Sequence, residues 1–408
     1  MFATPDRKFP YRVASSRPQV QLDSAGHEFS IVLGGPIYDF LERIGLVRRG
    51  LPNASRRIIA LIGITWLPLL IFCLKDGSAL NRLITIPFLS DFSMYGRYLL
   101  ALPIFIGAEL VIDPAIGCAV GAFVDSGIVQ GKELPKFQEV LRDTLRLRDS
   151  VVQELLLLVL AFLPVFLFQR EWGAGAVTSW HTSSRGLTSG GWWFATISSP
   201  LLRFIIYRWL FRYLIWTLLL WRIMRLDLHL MPTHPDHKAG LGFLALAQVR
   251  FGILFCALGC MVAGQLANGL VHQGEPVASF KFLMAGFVVL SVIVGLLPLA
   301  LLAPKVIRIR NAGLLEYGKL GNQYTESFDL KWVHPAQVTS EPVLGTGDIQ
   351  SLADLSNSYA IIDEMSIAPI TKRLTVMLAL QAAIPLIPLI VLGTPTGALV
   401  KAIMRMIM

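Results

Sequence analysis

Glu109 and Asp113 are four residues apart, and so are Arg208 and Arg212; each pair lies inside a long apolar run. Four residues is about one helical turn, so each pair shares a helix face. Charges at such positions persist only when paired, solvated or bound to a substrate, which makes the four residues an expected ion or substrate pathway. Gln265 and Asn268, followed by His272, stand in a third apolar run and supply neutral hydrogen-bonding groups to extend it. Counted down the helix from Tyr98, Glu109 is expected about 16 Å deep, near mid-bilayer. Asp113 precedes Pro114, where an interrupted helix is expected.

A second constellation follows the apolar run that ends near Met224. His229, His234, Asp236 and His237 fall within nine residues. Imidazole and carboxylate are common zinc donors, so a divalent metal is the one cofactor the sequence suggests; otherwise none is expected. The order comes near the His-x-His-x-Asp-His set of metallo-β-lactamase-like hydrolases, but Pro232 stands where its first histidine would be. The bland alternative is a Pro-Asp turn with solvated histidines.

Elements able to hold these groups follow from composition. The chain has 408 residues, 54% hydrophobic and only 15% charged, with mean hydropathy +0.61. Soluble chains run near 25% charged. Disordered chains and nucleic-acid binders built on solvated basic faces are thereby excluded. The expected fold is all-α, a polytopic transmembrane bundle in which seven apolar segments are spans: Ile58–Leu74, Tyr98–Val124, Val151–Phe168, Leu201–Met224, Phe251–His272, Phe280–Ala303 and Thr375–Leu392.

With the N-terminus in the cytoplasm, the inner segments hold 24 of the 36 Lys and Arg and the outer ones 7. That asymmetry predicts a cytoplasmic N-terminus, and the net charge of +9 then faces anionic headgroups. The expected organisation is a cytoplasmic arm and interfacial helix over 1–57, six spans over 58–303, a cytoplasmic helical loop over 304–374, and a last span and tail over 375–408. No cleavable signal is read in the polar first 57 residues, so the first span is the expected insertion signal.

Within this plan Ile37, Phe40, Leu41 and Ile44 predict an amphipathic helix opened by Pro36, with Arg48, Arg49, Arg56 and Arg57 facing headgroups. Spacing from Leu134 predicts one unbroken helix into the third span, and short helices are expected over 306–319 and 348–365, the second capped by Asp348. The external segment Gln169–Gly191 should end in the interfacial pair Trp192 and Trp193. Prolines 68, 103, 164, 298 and 385 should kink their helices. All four cysteines lie in apolar segments, against a disulfide framework; Cys256, Cys260, Gly264 and Asn268 form a stripe of small side chains suited to close helix packing.

The block Pro232–Leu244 and the stretch Asp348–Leu355 resemble segments of bacterial multi-spanning membrane proteins of unassigned function. The resemblance implies the bacterial inner membrane and no particular activity. Walker A, Gly-x-Ser-x-Gly and His-Glu-x-x-His motifs do not occur. The leading expectation is a non-enzymatic transporter or channel for a small ion or solute. The alternatives are a metal-dependent membrane enzyme and a non-catalytic signalling or scaffold protein. The expected partners are the lipid bilayer and a second copy of the chain, with no nucleic acid.

Overall fold

A chain this apolar satisfies its backbone in lipid by turning into helices. The computed structural model describes residues 29–43, 45, 54–81, 84–167, 179–183, 186–335, 341 and 346–392, and they are helical except for loops and one two-residue-per-strand hairpin, Thr182–Ser183 with Gly186–Leu187. The arm before residue 29, Ile44, Arg48, Arg49, residues 168–178 of the expected external segment and the tail from 393 lie outside the described residues.

Eleven helical elements of eight residues or more carry the described residues. They are α1 Pro36–Arg43, α2 Ala54–Lys75, α3 Phe92–Asp125, α4 Glu133–Arg148, α5 Val151–Leu167, α6 Ser189–Ile223, α7 Leu244–His272, α8 Val277–Ala300, α9 Ala303–Phe328, α10 Gly347–Asp363 and α11 Lys372–Leu392. Six of them are long and apolar enough to cross a membrane, and α4 with α5 makes a seventh if the pair counts as one span. The protein is an all-α, multi-pass membrane protein.

The third span departs from the expected unbroken helix. α4 and α5 meet at a bend of 44°. The break falls on Asp149 and Ser150, next to Arg148 at the end of α4, which hydrogen-bonds Asp149 and the Ser30 carbonyl. Pro114 departs in the other direction: α3 runs through it without interruption. A proline removes a single ladder bond, and helix packed along much of its length tolerates that.

α3 and α6 are the two longest candidate spans, 34 and 35 residues. At about 1.5 Å per residue each is ~50 Å long, well beyond the ~30 Å hydrocarbon core. Their C-terminal halves are sheathed by protein: Ile116, Phe123, Trp216, Leu219 and Ile223 are fully buried with Phe137 of α4 and Leu241 and Phe251 near the start of α7. α7 packs against both α3 and α11, and α6 against α4 and α5.

α3 and α7 cross with their backbones in close approach. A Cβ on Gly264 would stand 2.6 Å from the Phe92 carbonyl, and one on Gly96 2.5 Å from the Cys260 carbonyl. The small-residue stripe therefore does what its spacing suggested, bringing two backbones into contact.

Two of the helix prolines are answered across the bundle. Pro68 and Pro298 leave the carbonyls of Ile64 and Val294 without their usual i+4 donor. Trp193 donates from Nε1 to Ile64 at 3.0 Å, and the Tyr213 hydroxyl donates to Val294. Both donors belong to α6. The neighbouring Gly295 carbonyl takes Nε2 of Gln248, whose Oε1 accepts from Trp216.

At one end of the bundle α9 and α10 pack together; Arg310 pairs with Asp363 there, and Lys331 with Asp348. Asp348 is not the expected N-cap. It lies inside α10 and accepts from Lys331 and from Trp332 Nε1 across the helix pair, contacts that hold its carboxyl below the usual range.

Candidate functional site

The charged residues of the spans meet where α2, α3, α5 and α6 converge. Glu109, on α3, is buried and takes two guanidinium groups: Arg57 Nη1 is 2.5 Å from Oε2, and Arg212 Nη1 is 3.0 Å from Oε1. Arg212 also donates to the Val32 carbonyl and lies 5.0 Å over the Trp209 ring. Trp209 in turn donates from Nε1 to the Phe105 carbonyl. One carboxylate thus ties three elements together through charge-assisted bonds.

Asp113, one turn below, faces a different partner. Its carboxylate accepts from the Ser30 hydroxyl at 2.6 Å and from the backbone N–H groups of Ile31 and Val32. The segment 29–33 is therefore fastened to α3 as a plug over the cluster. Gly34 and Gly35 turn it away with positive φ, and the Arg148 guanidinium lies so close to Gly34 that a Cβ would collide with it.

Arg208 is the least satisfied charge. Its nearest acid is Glu154 Oε1 at 3.7 Å, beyond hydrogen-bond reach, and it makes no hydrogen bond among the described residues. Oε2 of Glu154 is already taken by the Ile37 N–H at the start of α1. Nε of Arg57 is likewise buried without a partner.

The structure places Glu109, Arg208 and Arg212 around one cavity, with Arg212 paired to Glu109. Arg57 and Glu154 each sit in the first turn of a helix, α2 and α5. The cluster therefore lies level with the N-terminal ends of α2 and α5.

Gln265 and Asn268 do not join this cluster. Asn268 donates to Asp91 Oδ1 and accepts from the Phe92 N–H, while Trp180 Nε1 donates to Asp91 Oδ2. Gln265 lies near Arg97, and His272 near the Ser90 carbonyl. This is a separate polar knot at the opposite end of the bundle, which staples the α7 C-terminus to the loop before α3. Its carboxylate is satisfied by neutral donors.

The residues that sequence reasoning missed are Arg57, Arg148, Glu154 and Ser30. Glu154 carried a usable signal, as the one charge in the apolar run Val151–Leu167. Arg57 carried none, since Arg56 beside it reads the same.

Asp236 is the hub of a loop and not a ligand in waiting. Its Oδ1 accepts from the N–H groups of Lys238 and Gly240, its Oδ2 from that of Gly242, and His234 Nδ1 stands 2.8 Å from Oδ1. Burial opposes its ionisation, but these contacts prevail and hold the carboxyl below the usual carboxylate range. Around it His237 and Ala239 adopt φ of 53° and 56°, a left-handed conformation uncommon outside glycine. The His237 carbonyl accepts from Ser366, and the backbone N–H of His229 donates to Ile128. His234 and Asp236 thus meet, but no three His, Cys, Asp or Glu side chains among the described residues are placed to hold a metal ion.

Beside the Glu109 cluster lies a cavity of about 290 Å³, walled by α1, α2 and α6 with Ile106 of α3. Arg57, Arg208, Arg212 and Glu109 are its charged lining. Comparison of the chain with protein-family models, with curated proteins and with solved structures finds no match.

Proposed function

We propose that this multi-pass protein of the bacterial inner membrane, its N-terminus cytoplasmic, binds a small anionic solute at the Arg57–Glu109–Arg208–Arg212 cluster and carries it across the bilayer. The observation that carries the reading is the charge of the cavity: three arginines and one carboxylate line it, and one of those arginines has no hydrogen-bonded acid. A cavity with spare guanidinium donors in an apolar setting favours an anion strongly. Exchange between Glu109 and the solute for the same arginines would couple binding to movement of α2 against α6.

The loop asymmetry of Lys and Arg supports the orientation, and the resemblance of two loop segments supports the membrane. Purified protein in liposomes should pass a small anion such as chloride or acetate, with a flux that Arg208→Gln lowers at least tenfold while leaving thermal stability unchanged. Wild-type flux in that variant, or no flux in the wild type, sinks the proposal.

A scaffold role keeps one observation in its favour. Leu315 on α9 is 77% exposed and Ile349 on α10 48%, so the helix pair offers apolar side chains beyond the bundle. Co-purification of a partner that is lost with Leu315→Glu would support it.

A further inference from the structure

We infer that the solute carries a single alkyl chain: the cavity is a binding site for a long-chain carboxylate, its head on Arg57 and Arg208 and its tail along α1, α2 and α6. The inference rests on the anion-carrier reading for its headgroup and deepens it by naming the substrate class.

The walls make the case. Away from the arginines the lining is apolar, with Leu41, Leu61, Phe204 and Ile205 inside and Phe40 and Ile64 at the rim. Phe40 and Ile64 are 59% and 47% exposed, so the cavity opens to the surface between apolar side chains. A hydrophilic anion would gain nothing from that surface, whereas an alkyl chain finds there an apolar lining like lipid, and one arriving from water gains about 0.8 kcal/mol per buried methylene. At about 290 Å³ the space is near the lower end of ligand pockets, ~300–1,000 Å³, which suits one chain and not two.

The inner end of the cavity is lined by guanidinium groups. The Arg57 side chain is only 8% exposed, its Nη1 is committed to Glu109, and its Nε is buried with no partner among the described residues. Arg208, 17% exposed, has no hydrogen-bonded acid among the described residues: Glu154 stands 3.7 Å away and the Phe204 ring 6.0 Å. A buried donor left unsatisfied costs roughly 1–3 kcal/mol, more when charged, and one carboxylate offers two oxygens to these two side chains. The other acids nearby are occupied: Glu109 by two arginines, Asp113 by the 29–33 segment, and Asp149 by Arg148. α1 is itself positioned as a rim, since the Glu154 carboxylate holds its first turn.

The test uses the full chain in nanodiscs of zwitterionic lipid, titrated with oleate, oleyl alcohol, acetate and phosphatidylglycerol while Trp fluorescence and native mass are followed. Oleate should bind at one site per chain. Oleyl alcohol and acetate should each bind at least tenfold more weakly, one lacking the charge and the other the tail. Arg208→Gln and, independently, the cavity-filling Ile64→Trp should each weaken oleate at least tenfold with the melting temperature kept.

Equal binding of oleate and its alcohol, or oleate binding unchanged in both variants, overturns the inference; so does tighter binding of phosphatidylglycerol, which would make the occupant a two-chain lipid. Oleate binding without liposome flux leaves the site standing and removes the carrier reading. Arg208-dependent flux of small anions without oleate binding does the reverse.

Discussion

Glu109 and Arg208 illustrate how differently two buried charges can be employed. Glu109 is held between two guanidinium groups, and removing its charge leaves both arginines buried and uncompensated. Glu109→Gln is expected to cost about 3–5 kcal/mol, the usual penalty for breaking a buried pair. Thermal denaturation in detergent should show it as a large drop in melting temperature, whereas Arg208→Gln should leave the transition nearly in place. Asp236 gives a second prediction, with a sign. Its carboxyl is held below the ordinary range in the folded protein, so its stabilising effect is full above the unfolded value near pH 4 and is lost as pH falls through the lower folded value. Amide exchange at Lys238, Gly240 and Gly242 should accelerate on acidification in that range, beyond the intrinsic pH trend. In Asp236→Asn those amides should exchange fast already at pH 7; protection equal to wild type would refute the hub role.

At the scale of elements, helices are fitted to one another through backbone. Gly264 meets the Phe92 carbonyl so closely that any larger residue forces α3 and α7 apart. Gly264→Leu should lower stability by several kcal/mol, of the order seen for overpacked cores, while Gly286→Ala on α8, where no atom lies within 4 Å of the added Cβ, should be neutral within ~0.5 kcal/mol. The proline carbonyls give a sharper test. Tyr213→Phe strands the Val294 carbonyl and should cost about 1–3 kcal/mol. Pro298→Ala restores the missing N–H, so Tyr213→Phe should cost less in that background. A double-mutant cycle in thermal stability reads the difference directly, and strict additivity would show that the hydroxyl answers something other than the proline.

Across the whole molecule, the loops fall into two groups at opposite ends. His229 bonds to Ile128 and Lys305 to Leu226 at one end, while Trp180 bonds to Asp91 through its indole and to the Ile86 carbonyl through its backbone N–H at the other. If the first end faces the cytoplasm, a cysteine placed at Ser358 should resist a membrane-impermeant thiol reagent in intact cells and react after permeabilisation, and one at Ser183 should react in both. The reverse pattern would invert the proposed orientation without altering the fold.

The sequence by itself determined the solvent, the helical class and the identity of most residues that matter, because those depend on composition and on period along one chain. Seven apolar runs became six spanning helices and one bent pair, and Glu109, Arg208 and Arg212 were visible as charges where charge is costly. Only the tertiary structure decided who faces whom. Asp113 went to the 29–33 segment, Asn268 to Asp91, and Arg57 from an expected headgroup contact to the partner of Glu109. Those choices rest on the relative sliding and rotation of long helices, about 50 Å against a slab of ~30 Å. Nothing in local spacing fixes that offset; it is set by glycine contacts, proline carbonyls and buried ion pairs between segments far apart in the chain.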